Sequence, residues 1–256
     1  MFKKEIHIFA AAIMFYSRIP LPKKNSMFSD EILHQSIRYF PLIGIIVGCM
    51  GGGVFWLSSL ILPFQIAVIL SMVATILLTG AFHEDGFADF CDGFGGGYTK
   101  ERILAIMKDS SIGTYGAIGL LMMLFSKYLC LSNMKPIDLP LVLIAAHAFS
   151  RFLPVCLINT STYARIEGPS KSKAIGQKGT LFSFCVALLF SVLALAFIPW
   201  KAVLLIAVLS LLLFVFFRWY VTRRLGGYTG DVLGALQQLS EIMFYLGFLI
   251  FQSHVG

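Results

Sequence analysis

The sequence predicts an all-α fold, a polytopic bundle of membrane-spanning helices, and three observations support this. Of the 256 residues, 58% are hydrophobic and only 13% charged, about half the charged share of a soluble domain. The mean hydropathy is +0.84. The apolar residues fall into repeated runs close to the roughly 20 residues that a helix needs to cross a bilayer.

The elements follow in order. Over residues 2–18, Phe2, Ile6, Phe9 and Ile13 alternate at helical spacing with Lys3, Lys4 and His7, which predicts an interfacial amphipathic helix, with a short membrane-inserted segment as the second choice. Arg18-Ile19-Pro20-Leu21-Pro22 ends it, because proline cannot continue a helix. A polar stretch to Arg38 follows, with a helix start at Ser29-Asp30-Glu31, so residues 1–38 form an amphipathic N-terminal segment. Spans are predicted over about 41–62, 64–82, 113–131, 139–158, 180–198 and 202–221, with a last one after Asp231 running to about 252. That makes about seven, with six and eight as the alternatives, in one membrane-embedded domain covering 1–256 with no separate soluble domain. Gly44, Gly48, Gly51, Gly52 and Gly53 in the first span predict close helix packing. Thr99–Ser111 reads as a polar amphipathic helix, within an acidic-motif loop over 83–112.

The most informative stretch is His83-Glu84-Asp85-Gly86-Phe87-Ala88-Asp89-Phe90-Cys91-Asp92-Gly93, followed closely by Gly95-Gly96-Gly97. It holds four of the 13 acidic residues, Glu84, Asp85, Asp89 and Asp92. Read as a helix, Asp85, Asp89 and Asp92 stand at i, i+4 and i+7, inside an arc of roughly 60°. Three carboxylates on one face repel each other unless a cation lies between them. Hard oxygen donors of this kind suit Mg²⁺, which takes one or two protein carboxylates and completes its shell with water and phosphate. The adjoining glycines let backbone N–H groups approach an anion. A pyrophosphate held through metal is the expected ligand, and a solvated acidic loop the plain alternative.

Net charge is +7, but no basic helix with interleaved aromatics points to nucleic acid. The positive charge instead orients the loops in a lipid bilayer. With the N-terminus cytoplasmic, sixteen Lys and Arg residues lie inside and only Lys135 and Lys201 outside. This places the acidic motif on the cytoplasmic face. No cleavable signal peptide is expected, since His7, Arg18 and two prolines interrupt the early apolar residues. The five cysteines are scattered and read as small apolar residues.

Other groups add to the motif. Lys108-Asp109-Ser110-Ser111-Ile112-Gly113 opens a span and reads either as an anion site or as plain helix capping. His147 and Arg151 share one face of the fourth span, with Arg151 expected on substrate phosphate. Arg223, Arg224 and Asp231 flank a glycine-rich turn that reads as a second phosphate or ribose contact set. Gln237 and Glu241 share an inward face of the last span, and Lys127 is given no role.

These segments together resemble the cobalamin synthase family, the adenosylcobinamide-GDP ribazoletransferases. The resemblance runs through Ser17 to Pro22, Tyr39 to Gly44, the acidic motif, Ile106 to Gly113, Ser150-Arg151, Tyr163-Ala164-Arg165 with Glu167-Gly168, and Gly226 to Asp231. It implies a transferase of the bacterial cytoplasmic (inner) membrane that joins adenosylcobinamide-GDP to α-ribazole or its 5′-phosphate. The products are adenosylcobalamin or its phosphate, and GMP. It also implies Mg²⁺ on Asp85, Asp89 and Asp92, with Glu84 as a fourth candidate ligand. Asp92, or else His83, is expected to take the proton, and Lys108 to neutralise charge on the leaving group. Arg18, Ser110, Arg151, Arg165, Arg224 and Asp231 are expected to contact substrate. The assembly stays open, a homo-oligomer included. A CDP-alcohol phosphotransferase shares part of the acidic pattern, but the Arg expected after Ala88 is absent. A transporter would scatter its charges near the bilayer midplane.

Overall fold

The computed structural model describes residues 2–21, 29–164 and 179–254. Its elements are α1 (Phe2–Tyr16), α2 (Asp30–Ser36), α3 (Phe40–Ser59), α4 (Phe64–Thr79), α5 (Phe82–Gly96), α6 (Lys100–Ile106), α7 (Thr114–Ser132), α8 (Leu139–Thr160), α9 (Leu181–Leu195), α10 (Trp200–Leu225) and α11 (Gly230–His254). A short 3₁₀ turn at Ile37–Tyr39 joins α2 to α3. Among the described residues the only β pairing is one parallel bridge, Tyr163 to Tyr228. The chain is a multi-pass helical membrane protein.

A helix stands at each of the seven predicted span positions, but they are not equal. Five segments are long and apolar enough to cross a bilayer: Asp30–Ser59, Thr114–Ser132, Leu139–Thr160, Trp200–Leu225 and Gly230–His254. The 16-residue α4 qualifies only together with α5, from which it is bent by 88°, and the 15-residue α9 is shorter still. Among the described residues the count by length and composition is therefore five, or six with the bent pair. α4 stops early because Gly80 (φ 67°) and Ala81 (φ 56°) both take left-handed backbone, which ends a right-handed helix. Large apolar side chains such as Leu77, Leu121, Leu212 and Phe216 remain exposed on the outer surface, as lipid-facing residues do.

α3 lies along α8 through a glycine ladder. A Cβ at Gly44 would collide with the backbone of His147, one at Gly48 would stand 2.5 Å from the Ile144 Cα, and one at Gly52 3.1 Å from the Pro140 Cα. Backbone contact of this kind is what small residues provide where apolar burial gives no preference between helices and lipid. The central element is α11, which packs on α5, α7, α8 and α10. Its crossing with α5 is equally close, since a Cβ at Gly234 would lie 3.3 Å from the His83 carbonyl oxygen.

Two sequence expectations need correction here. α1 forms, but its buried face is Ile8, Ala11, Ala12 and Tyr16, while Ile6 is half exposed. The face is turned because Glu5 accepts hydrogen bonds from Arg38 (2.9 Å) and the Tyr39 hydroxyl (2.8 Å), pinning α1 to the start of α3. Residues 83–112 are not a loop but two helices: α5 carries the whole acidic motif, and α6 ends at Ile106 rather than Ser111. Asp109 stops it by accepting hydrogen bonds from the Ser111 hydroxyl (2.6 Å) and amide (2.9 Å). These bonds also hold the Asp109 carboxyl below its usual range.

Replacing Gly48 by Leu should separate α3 from α8 and cost about 1–3 kcal/mol. Thermal unfolding of detergent-solubilised protein checks this, with a lower midpoint expected than for Gly53→Leu, where the added Cβ meets nothing.

Candidate active site

The site is built on α5, and the α4–α5 corner decides how its carboxylates point. Asp85 is exposed, Asp89 half-buried and Asp92 buried, on successive turns of one helix. Asp85 lines an open cavity of about 420 Å³ at the corner, shared with Ser17, Arg18, Thr79, Gly80 and Phe82. Asp92 lines a second open cavity of about 460 Å³, shared with Arg102, Asp109, Ser111 and Tyr115. The acidic face thus runs between two cavities.

Asp92 has a further task. One of its oxygens accepts the Gly113 amide (2.7 Å) and the other the Gly116 amide (2.8 Å). It caps α7 from a neighbouring helix and satisfies N–H groups that a helix start leaves without partners. The segment Lys108 to Gly113 is therefore a capping arrangement closed by α5, and Lys108 and Ser110 are exposed beside it.

His83 and Glu84 turn the other way, into the bundle. His83 is 2% exposed and stacks on Phe40 with 5.6 Å between ring centroids. Glu84 accepts a hydrogen bond from Gln238 at 2.9 Å. Gln238 in turn accepts from Lys127, whose ammonium also pairs with Glu241 at 2.7 Å. Glu241 further accepts from Gln237 (2.8 Å) and the Tyr245 hydroxyl (3.1 Å), and lies 3.3 Å from the His147 ring. Arg151, 1% exposed, donates to the His147 carbonyl (2.8 Å) and lies over the Phe40 ring. These groups enclose a cavity of about 20 Å³, into which α4, α5, α7, α8 and α11 all send polar side chains.

The sequence-predicted residues therefore separate. Asp85, Asp89 and Asp92 follow one another along one side of α5, with Arg18 beside the Asp85 end and the start of α7 against the Asp92 end. Glu84, His83 and Arg151 belong to the enclosed network, so Arg151 lies apart from both open cavities, where phosphate contact had been expected. Arg224 donates to the Gly97 carbonyl (2.7 Å) and stacks on Phe94 and Tyr220, tying α10 to the end of α5. Asp231 sits in the first turn of α11 against Gly86. Arg165 lies outside the described residues. The glycines of the motif pack helices: Gly93 and Gly97 admit α6, and Gly95 admits the Tyr115 ring.

Sequence reasoning missed Lys127, Gln238 and Arg102. The signal for the first was a lone cation deep in one span and a lone carboxylate, Glu241, deep in another, a pair that lipid forces together.

Mg²⁺ fits part of the donor set. Asp85 supplies hard oxygens beside an open cavity and Asp89 follows one turn further along α5, a pair of the kind taken by an ion that completes its shell with water and phosphate. Both Asp92 oxygens already accept amides, and Glu84 points inward. Among the described residues, no three His, Cys, Asp or Glu side chains converge as a metal cluster. Two carboxylates fit the ion; the four-carboxylate set does not.

The site thus joins a membrane-embedded helical bundle to an acidic helix flanked by two open, arginine-bearing cavities. The model of the family described as "Cobalamin-5-phosphate synthase" matches residues 8–249, and the chain belongs to that family. An adenosylcobinamide-GDP ribazoletransferase of Vibrio parahaemolyticus is 42% identical over 98% of this chain and 95% of its own. One of Vibrio cholerae is 41% identical over 98% and 96%, and one of a Shewanella strain is 43% identical over 96% and 95%. No solved structure matches. The chain is an enzyme, a transferase.

Lys127→Met alone should destabilise the protein by about 3–5 kcal/mol, because Glu241 loses its buried counter-charge. Lys127→Met combined with Glu241→Gln should cost less than the sum of the two single variants, read by thermal unfolding in detergent. Asp92→Ala should fray the start of α7, seen as faster hydrogen exchange at Gly113 and Gly116 than in the parent protein.

Proposed function

We propose that this chain joins adenosylcobinamide-GDP to α-ribazole or α-ribazole 5′-phosphate at the cytoplasmic face of a bacterial inner membrane, releasing GMP. The observation that carries this reading is the acidic helix α5, which opens on one cavity at Asp85 and on another at Asp92, in a chain matched to its family over nearly its whole length.

In the proposed reaction a ribazole hydroxyl oxygen attacks the phosphorus on the cobinamide side of the pyrophosphate. A new P–O bond forms, the bond to the GMP phosphate breaks, and the hydroxyl proton leaves to a base. Of the two groups considered for that proton, His83 is enclosed, while Asp92 lines an open cavity and keeps a second lone pair on each oxygen beyond the amide it accepts, so the role is assigned to Asp92. Asp85 and Asp89 would hold Mg²⁺, which supplies neutralisation of charge on the pyrophosphate. Arg102 and Lys108, both exposed on the α6 side, favour the anionic nucleotide. The close contacts Arg224 to Gly97, Arg218 to Thr160 and Asp92 to Gly113 put these elements at one end of the bundle. Lys100, Arg102, Lys108, Arg218, Arg223 and Arg224 lie on or beside these elements, a basic cluster that supports a cytoplasmic orientation.

Purified protein in detergent or vesicles, given adenosylcobinamide-GDP and either acceptor, should produce GMP and the corresponding corrinoid. Chelation should stop turnover and added Mg²⁺ restore it. Asp89→Asn should lower kcat by roughly a hundredfold or more while the protein stays folded. Full activity in that variant, or conversion of CDP-diacylglycerol in place of the corrinoid, would remove the proposal.

A further inference from the structure

The enclosed cavity of about 20 Å³ has a polar lining that the proposed reaction does not use. Among the described residues, Glu84 Oε2, Arg151 Nε and His83 Nε2 are buried without a hydrogen-bond partner, and all three residues line this cavity. Their other contacts are settled. Glu84 accepts the Gln238 bond on Oε1 (2.9 Å), Arg151 donates through Nη1 to the His147 carbonyl (2.8 Å), and the His83 ring stacks on Phe40. Each side chain is thus held in place with one polar atom left over. Buried polar atoms in folded proteins nearly always have a protein or water partner.

Size, donor pattern and charge together select the guest. A cavity needs about 10–15 Å³ of this kind of space to hold one water, so this one takes a single water-sized guest. Arg151 Nε is a donor, Glu84 Oε2 an acceptor, and His83 Nε2 either one according to its tautomer. A bare cation would satisfy the carboxylate but not the guanidinium N–H, and a bare anion the reverse. Water satisfies both. Around the cavity, Lys127 and Arg151 stand against Glu84 and Glu241, two cations to two carboxylates, and only a neutral guest leaves that balance intact.

We infer that this cavity binds one ordered water, held by Glu84, Arg151 and His83, and that this water ties α5 to α8. The direct packing of α5 is on α4, α6, α7 and α11, so the bridge adds a fifth helix to its supports. Through it Arg151 acts as a positioning residue, because Glu84 directly precedes Asp85 and a rotation of α5 would pull Glu84 off the water. This last step rests on the function proposed above. The water site itself does not.

The water is sought directly, in a density map of the parent protein in lipid nanodiscs at a resolution that shows ordered waters. One peak at hydrogen-bonding distance, about 2.7–3.2 Å, from Glu84 Oε2, Arg151 Nε and His83 Nε2 is expected. A dry cavity, an ion at that position, or Glu84 and Arg151 swung into direct contact overturns the inference, whatever the activity of the protein. The positioning role is read from turnover. Arg151→Met should lower kcat roughly tenfold or more with KM for adenosylcobinamide-GDP little changed, as expected when orientation rather than binding is lost. Arg151→Lys, which keeps a donor toward the water, should recover part of the rate. A raised KM with kcat intact would make Arg151 a substrate contact and overturn the positioning role. A parent protein that shows the water but makes no GMP overturns the proposed function and leaves the water site standing.

Discussion

The ion pair between Lys127 and Glu241 is the constraint on which the rest of this bundle depends. Two full charges within a membrane protein are tolerated only if each is paired and hydrogen-bonded. Here the pairing draws in two further helices. Glu241 gathers His147 from α8 and Gln237 and Tyr245 from its own helix, and Lys127 reaches through Gln238 to Glu84 on α5. Moving any one of these helices leaves a buried polar group unsatisfied. The network therefore fixes the rotation of α5, and with it which carboxylates face outward. Glu84 and His83 are held inside, so Asp85 and Asp89 are left on the open side.

The same helix is anchored at both ends. At its start, the left-handed Gly80–Ala81 pair turns the chain through 88°. At its end, Asp92 grips the α7 amides while Arg224 holds the Gly97 carbonyl. Close crossings at Gly86 and Gly234 leave little freedom in between. The carboxylates sit on a rigid, pre-oriented element, which is what electrostatic stabilisation of a charged transition state requires.

Much of this was legible in the sequence. The helical class followed from apolar run length, and the glycine ladder of α3 from its spacing. The inward face of Gln237 and Glu241 followed from the cost of polar groups in lipid. The helical spacing of Asp85, Asp89 and Asp92 is real, but periodicity could not tell which neighbour each would meet. Asp92 is claimed by a helix start 21 residues later in the chain, a tertiary contact with no local signature. Glu84 and Asp85 are adjacent in sequence yet face opposite sides, because α11 covers one side of α5. The short α4 was hidden because its apolar run continues past Gly80 into Phe82, and hydropathy does not register a left-handed backbone. Arg151 was expected near phosphate because basic residues and pyrophosphate suit each other. Its real partners, His147 and Phe40, lie on the helices that bury it.

The right angle between α4 and α5 also bears on how cargo travels. The 88° turn keeps α5 from continuing the line of α4 and leaves its acidic helix with an opening at either end, one at the corner beside Asp85 and one beside Asp92. Under the reaction proposed above, the two reactants would reach Asp85 and Asp89 through separate openings, so neither would have to leave before the other enters.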